Sequence, residues 1–370
     1  MRILFVARAI HQMAGGVERM ITIIMNALVH RGHQIEFMTW DGSAATAFYP
    51  IDPQVVWHRL SLGNPAIKAT PWIKLRRMLM VRQLIRRSHP DVVVCFQSGT
   101  FFSVRLYTMG IRTPIIVAER NAPSRFKNFN APGSQRLTYQ VFRWAERILV
   151  QCESYRSHYP EFLRDRIITI PNPVFPAHQF AQPHIPNEQE RWCLLSVGRL
   201  SYQKNFPVLI QAFALLAAQF PSWDLKIVGA GEDQAALQNL INTQQLGDRV
   251  SLSGVTDAIT EHYVNAHLFC LPSLWEGFPN ALAEALAHGL PGVGFIQCAG
   301  MADLITPDKN GALVPGINDP EALAATLAPL MQSTEQRQTM GQNAITSIRE
   351  YEPAKIFNQW QAVLSDAIQK

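Results

Sequence analysis

The chain has 370 residues, too many for one ordinary core, and 48% of them are hydrophobic against 16% charged, which predicts a globular protein of two domains. No window of eighteen apolar residues is free of charge, so no membrane-crossing helix is expected; five scattered cysteines (Cys95, Cys152, Cys193, Cys270 and Cys298) without a CxxC pair point to a reducing cytoplasm and no metal site. The net charge of +5 hides an asymmetry: residues 1–180 hold 23 Lys+Arg and 10 Asp+Glu, residues 181–370 hold 10 and 18, so the first half should meet an acidic partner such as lipid phosphate, nucleic acid or a phosphorylated substrate.

RILFVA, at the start, reads as a buried strand, being too short and too arginine-punctuated for a signal peptide. HQMAGGVERMITIIMNALVHRGH follows, with apolar Ile21, Ile24, Met25, Leu28 and Val29 at helical period and Gly32 as a stop. QIEFMTW is the next strand. Strand, glycine turn, helix and strand make a βαβ unit, which implies a parallel sheet. DVVVCFQ, TPIIVAE, RILVQ and RIITIPN continue as buried strands, with helices over 72–88 and 134–146. Residues 174–190 carry three prolines and no period, and are expected to link the domains.

The alternation then restarts. WCLLSVG, DLKIVGAG, RVSLSG, HLFCLP and PGVGF are the expected strands, with helices over 206–219 and 233–245. Three helices near 319–331, 334–350 and 353–369 follow. The predicted fold is α/β: two doubly wound Rossmann-like domains in tandem, 1–173 and 191–350, with a final helix over 351–370 packing back towards the first domain. Ligands of such sheets bind at the carboxyl ends of the strands, so the site is expected in a cleft between the domains.

The segment SLWEGFPNALAEALAHGLPG places Glu276 and Glu284 eight positions apart around Gly277, Phe278 and Pro279. Proline suits the first turn of a helix, so the helix should start near Pro279 and end at Gly289. Glu276 then lies in the loop before it and Glu284 lies on it, so the two carboxylates can flank one ligand. The N–H groups from Phe278 through Asn280 to Ala281 suit an anion, with the helix dipole behind them. A carboxylate only accepts hydrogen bonds and therefore suits a diol. One reading gives Glu284 a ribose, Glu276 a sugar and the helix start a phosphate; the other makes both glutamates ordinary solvated side chains.

SVGRLSYQKN puts Arg199 and Lys204 between a buried strand and a helix, pointing two cations at the expected cleft. A departing pyrophosphate needs about two positive charges, and no DxD motif is present to hold a metal. Gly15 and Gly16 sit between the first strand and first helix, where backbone amides can face a phosphate or sugar. IVGAGED lacks the last glycine of a dinucleotide fingerprint and reads as a turn near a nucleotide rather than an NAD site.

GGVER, SVGRLSYQKN, VGAGEDQAAL, RVSLSGV and PSLWEGFPNALAEALAHGLP occur in that order across nearly the whole chain. Together they resemble glycosyltransferase family 4, retaining enzymes of the two-domain GT-B fold, and in particular bacterial members that build O-antigen, capsule or exopolysaccharide. The resemblance implies that Arg199 and Lys204 bind the donor diphosphate, that Glu284 binds its ribose and that Glu276 lies against the donor sugar. Gly15, Gly16, Val255 and the run from Gly277 to Ala281 complete the donor site. It also implies retention without metal or cofactor, by front-face substitution in which the departing phosphate oxygen takes the acceptor proton. Many members carry a His after a strand of the first domain; here that place is held by Glu119, Arg120 and Asn121. Arg120 could bind an acceptor phosphate, or could pair with Glu119.

The expected activity is transfer of a hexosyl or N-acetylhexosaminyl group from a nucleotide sugar, UDP-linked by preference, to a polyprenyl-diphosphate-linked saccharide. The alternatives are a GDP-mannose-dependent transferase or a UDP-sugar 2-epimerase on the same fold; a non-catalytic binding protein and a tandem-Rossmann dehydrogenase rank lower. Residues 71–90 interleave Trp72, Leu75, Met78, Leu79 and Ile85 with six basic residues and no acid, and 120–143 add a basic, aromatic loop. The basic residues of 72–89 and 120–143 are expected to dock on the anionic cytoplasmic face of the inner membrane; the alternative is a surface helix whose apolar side packs on the sheet. Nucleic acid is not expected, since no RNP-type aromatics or recognition helix are present.

Overall fold

The computed structural model describes residues 1–63, 69–123 and 132–369, and the chain divides into two compact units. Unit 1 comprises Met1–Asn172 together with Ala354–Lys370, and unit 2 comprises Pro173–Pro353. Residues 124–131, with Arg125 and Lys127 of the expected basic loop, lie outside the described residues.

Unit 1 is built on a seven-stranded sheet of β1 (Arg2–Val6), β2 (Gln34–Thr39), β3 (Val56–Arg59), β4 (Val92–Phe96), β5 (Ile115–Ala118), β6 (Ile148–Val150) and β7 (Ile167–Thr169). Their spatial order is β3-β2-β1-β4-β5-β6-β7, and every pairing is parallel. A parallel sheet covered on both faces needs unbroken apolar strands, and all five residues of β4 are buried. The helices are α1 (Gly16–His30), α2 (Pro71–Ser88), α3 (Ser98–Tyr107), α4 (Pro132–Phe142) and the single turn α5 (Glu161–Arg164).

Unit 2 repeats the plan. Its strands are β8 (Trp192–Val197), β9 (Trp223–Val228), β10 (Val250–Leu252), β11 (Leu268–Leu271), β12 (Gly292–Phe295) and β13 (Gly311–Val314), in the parallel order β10-β9-β8-β11-β12-β13. Its helices are α6 (Phe206–Leu216), α7 (Gln234–Thr243), α8 (Ile259–Val264), α9 (Asn280–Ala287), α10 (Met301–Leu304), α11 (Pro320–Gln332) and α12 (Thr334–Ser347). Residues 174–190, expected as a linker, are tied into this unit. Ala181 N–H donates to His288 O, and the Arg337 Nε–H donates to Pro183 O.

The last helix, α13 (Pro353–Gln369), belongs to unit 1. Ile356, Trp360, Val363, Leu364 and Ala367 recur at helical spacing and join the cluster formed by Ile3, Phe5, Val94 and Phe96. Trp360 stacks on Phe96 with centroids 6.3 Å apart. Arg31 anchors the same helix through Asn358, Gln361 and the Ala354 carbonyl.

α2 buries part of its apolar content and leaves part exposed. Its inner face carries Arg77, Val81 and Ile85, and Arg77 donates twice to Leu62 O. Trp72, Leu75, Leu79 and Met80 are exposed, and no acid lies in the helix.

Candidate active site

β8 and β11 are neighbours in the middle of the unit 2 sheet, where the strand order reverses direction. Because they are parallel, the loops that leave their carboxyl ends emerge side by side, and such a switch point is where open α/β sheets bind ligands. The first loop runs from Gly198 to Asn205 and the second from Pro272 to Pro279. Three hydrogen bonds lace them together: Leu274 N–H to Gln203 O at 2.9 Å, Gln203 Nε2 to Trp275 O at 2.7 Å, and Asn205 Nδ2 to Pro272 O at 3.2 Å. Asn205 adopts a left-handed φ of 56°, the turn that lets Lys204 finish one short helix and α6 begin.

This lacing sets Lys204 Nζ 2.6 Å from Glu276 Oε1. Ser273 Oγ donates to the same oxygen at 2.6 Å. The Glu276 side chain is 8% exposed and that of Lys204 17%, so the pair is largely screened from bulk water. The buried Cys298 thiol lies against the Glu276 backbone, and burial followed by the Glu276 charge pushes its pKa up. Arg199, on the same loop, is exposed.

α9 starts at Asn280, with Pro279 as its N-cap and no side-chain cap, and Asn280 N–H donates back to Phe278 O at 2.8 Å. Phe278 is buried against Tyr351 and fixes that entry. Glu284 lies on α9 with the Tyr263 hydroxyl 3.1 Å from its Oε2, and Tyr263 is itself held by stacking on His288. Asn280, Ala281 and Glu284 are partly exposed.

Gly229 and Gly231 form the turn after β9. A Cβ on Gly229 would stand 2.0 Å from Gly198 O, and one on Gly231 would stand 2.2 Å from Leu200 O. The glycines therefore permit two backbones to touch beside Arg199. Gly229 N–H also donates to Gly254 O, which brings the 79%-exposed Val255 to the same rim. Arg199, Lys204, Val255, Glu276, Gly277, Phe278, Pro279, Asn280, Ala281 and Glu284 thus share the carboxyl edge of one sheet.

The remaining expected residues lie on the carboxyl edge of the unit 1 sheet. Gly15 caps α1 and Gly16 begins it. The Glu18 carboxylate folds over that first turn, close enough that a Cβ on Gly15 would meet its Oε2 at 2.1 Å. Glu119 accepts backbone N–H bonds from Ser98, Arg120 and Asn121, and also the Asn121 side-chain amide. Arg120 departs from the acceptor-facing expectation, since it is 3% exposed and turned inward. Its Cζ lies 5.2 Å from the Trp360 ring and its Nη1 reaches Asn172 Oδ1. Burial lowers its pKa to about 10.

Sequence reasoning missed Ser273, Gln203, Asn205 and Tyr263, which hold the charged groups in place. Their pairing depends on strand order, which local pattern does not encode. Elsewhere in unit 2, a polar cavity of about 720 Å³ lined by Trp192, Asp224, Lys226 and Arg249 lies over the amino-terminal halves of the strands. Its Asp224 carboxylate is already paired with Arg191 and Arg249.

The family model described as Glycosyltransferase Family 4 matches residues 14–178, and the model described as Glycosyl transferases group 1 matches residues 179–347. An uncharacterized glycosyltransferase of Haemophilus influenzae is 26% identical over 358 residues, covering 95% of this chain and 96% of the relative. A Campylobacter jejuni enzyme is 23% identical over 99% of both chains. It is named a GalNAc-α-(1→4)-GalNAc-α-(1→3)-diNAcBac-PP-undecaprenol α-1,4-N-acetyl-D-galactosaminyltransferase. Among solved structures, Anabaena HepE in complex with UDP superposes with a TM-score of 0.76 at 18% identity, covering 99% of this chain and all of that one.

Proposed function

The chain belongs to the glycosyltransferases, with a family 4 first half and a group 1 second half, and from that premise we propose that it moves a hexosyl or N-acetylhexosaminyl group from a UDP-linked sugar, with retention, to a polyprenyl-diphosphate-linked saccharide in bacterial surface polysaccharide assembly. The observation that carries the reading is the Lys204–Glu276 pair, seated with Arg199 and the start of α9 on one rim. In transfer, the bond from the anomeric carbon to the donor phosphate breaks and a bond to the acceptor oxygen forms on the same face. The acceptor proton passes to the departing phosphate oxygen. Negative charge grows on the diphosphate, and Lys204, Arg199 and the α9 amides are the groups placed to meet it. Glu276 faces the sugar, and Glu284 accepts from the ribose diol while Tyr263 orients it.

UDP is favoured because the structural neighbour HepE was solved with it, and a lipid-diphosphate acceptor because the Campylobacter relative is named for one. Unit 2 takes the donor in this reading, and unit 1 takes the acceptor and the membrane. α3 packs against both α2 and α4, and none of the three contains an acid. Trp72, Leu75 and Leu79 on α2, Phe102 and Leu106 on α3 and Leu137 on α4 are exposed among basic residues. An apolar and basic face of this kind suits the anionic cytoplasmic leaflet. Within the described residues no helix is long and apolar enough to cross a membrane.

Thermal stabilisation by UDP, GDP, ADP and NAD tests the donor reading. A shift with UDP supports it, and a shift with GDP redirects the donor to a GDP-linked sugar. A shift with NAD, or with nothing, removes it. Formation of an epimerised UDP-sugar in the absence of acceptor would favour the 2-epimerase instead.

A further inference from the structure

Lys204 Nζ and Ser273 Oγ both donate to one atom, Glu276 Oε1, each at 2.6 Å. The two donors differ in what holds them. Lys204 carries its ammonium on a flexible four-carbon stem, so the charge can turn to a new acceptor while the backbone stays still. Ser273 carries its hydroxyl on a single carbon, is 0% exposed and stands just beyond the end of β11. The backbone on either side of it is tied down, since Pro272 O accepts from the Asn205 amide and Leu274 N–H donates to Gln203 O. Cys298, likewise 0% exposed, lies against the Glu276 backbone. Of the two side chains that meet at Oε1, the lysine is therefore the mobile one and the serine the fixed one.

We propose that Ser273 is a positioning residue: it keeps the Glu276 carboxylate turned to the donor sugar once Lys204 has exchanged that carboxylate for the donor diphosphate. The proposal rests on the transferase reading above. A diphosphate carries more negative charge than a carboxylate and draws the ammonium away from Glu276. A carboxylate only accepts hydrogen bonds, so its direction is set by the donors around it. Ser273 is uncharged and its backbone is tied, so it takes no part in the exchange and stays on Oε1 throughout. With Glu276 8% exposed and Ser273 fully buried, bulk water does not take over a hydroxyl that is removed. In the unloaded protein Lys204 also holds the carboxylate, and the serine matters less. In the loaded protein the serine keeps Glu276 on the sugar. Loss of the hydroxyl should therefore be felt in turnover of the sugar and not in binding of the nucleotide.

The test measures UDP release from UDP-glucose, UDP-galactose, UDP-N-acetylglucosamine and UDP-N-acetylgalactosamine by the full chain without acceptor. For the sugar that the native protein hydrolyses, Ser273→Ala should lower kcat about tenfold, with KM and the UDP thermal shift little changed. The split between kcat and KM is the discriminating arm, because a loop that had merely loosened would lose nucleotide binding as well. Native kcat in Ser273→Ala overturns the proposal, as does a rise in KM or a loss of the UDP shift that accounts for the whole effect. A crystal structure of Lys204→Ala, which imitates the departure of the ammonium, gives a second readout. Glu276 Oε1 should remain within hydrogen-bond distance of Ser273 Oγ, and a carboxylate that has swung away overturns the proposal. If the native protein hydrolyses none of the four sugars, the donor reading loses its support separately, and the Lys204→Ala structure still decides what Ser273 holds.

Discussion

Lys204 Nζ and Glu276 Oε1 lie 2.6 Å apart although 72 positions separate the residues, and the contact exists because β8 and β11 are adjacent in space. In the proposed function Lys204 meets the donor diphosphate, and Glu276 would be its counter-charge until the diphosphate arrives. Lys204→Ala should lower turnover about a hundredfold while changing the donor KM less, since the charge is needed most as the leaving group departs. Steady-state kinetics decide it, and near-native turnover removes Lys204 from the mechanism. Stability has its own readout. Lys204→Ala and Glu276→Gln should each destabilise by about 1–3 kcal/mol, and the double variant by less than their sum, because each single change strands a poorly solvated partner.

Glu284 can be separated from Lys204 by what each change spares. Glu284→Ala should abolish the thermal shift that UDP gives the native protein, about 2.7 kcal/mol at a hundredfold excess over Kd. Tyr263→Phe, which removes only the hydroxyl that orients the carboxylate, should retain a reduced shift. An undiminished shift in Glu284→Ala would mean that the carboxylate does not hold the ribose.

Arg199 and Lys204 are argued to carry the positive charge that other transferases draw from a divalent cation. Turnover should therefore survive dialysis against EDTA. A loss of activity that magnesium or manganese restores would show that the side-chain cations are insufficient.

Both βαβ frameworks were legible in the sequence because buried parallel strands such as VVVCF leave an unbroken apolar signature. β3 was not legible: VWHR is a partly exposed edge strand without that signature. α3 was hidden by SGTFFSVRLY, whose glycine, serines and β-branched residues are poor helix formers that packing against α2 and α4 overrides. The charged members of the site were legible because Arg199, Lys204, Glu276 and Glu284 stand in recognisable runs. Ser273, Gln203 and Tyr263 were not, since their roles follow only from which loops the sheet order sets together. The inward turn of Arg120 was equally invisible, because it depends on Trp360, 240 positions along the chain.

His267 should set the acid limit of unit 2. Its Nδ1 accepts the Cys193 backbone N–H at 2.8 Å, so its Nε2 carries the proton and donates to Ile185 O at 2.8 Å. Burial, helped by Arg337, depresses its pKa from 6.5 to about 4. The folded value lies below the unfolded one, so the stabilisation is whole above pH 6.5 and fades as pH falls towards 4, amounting to about 3 kcal/mol at most. Thermal melts of the native protein and His267→Gln across pH 4–7 check this. The native curve should fall more steeply with acid than that of the variant, and parallel curves would show that His267 does not carry the linkage.

The membrane face can be tested through its apolar side, which separates lipid insertion from charge attraction. Each basic residue near an anionic surface contributes about 1 kcal/mol at physiological salt, so charge alone would hold the protein loosely and release it as salt rises. Exposed Trp72, Leu79 and Leu106 lie on adjacent helices and would add a salt-resistant part by entering the acyl boundary. Native protein should float with vesicles containing phosphatidylglycerol at low salt, and a fraction should stay with them at high salt. Leu79→Glu and Leu106→Glu change exposed positions and should leave folding and nucleotide binding intact while removing the salt-resistant fraction. If native protein stays off the vesicles at both salt concentrations, α2 and α3 do not form a membrane surface, and their exposed apolar residues need another partner.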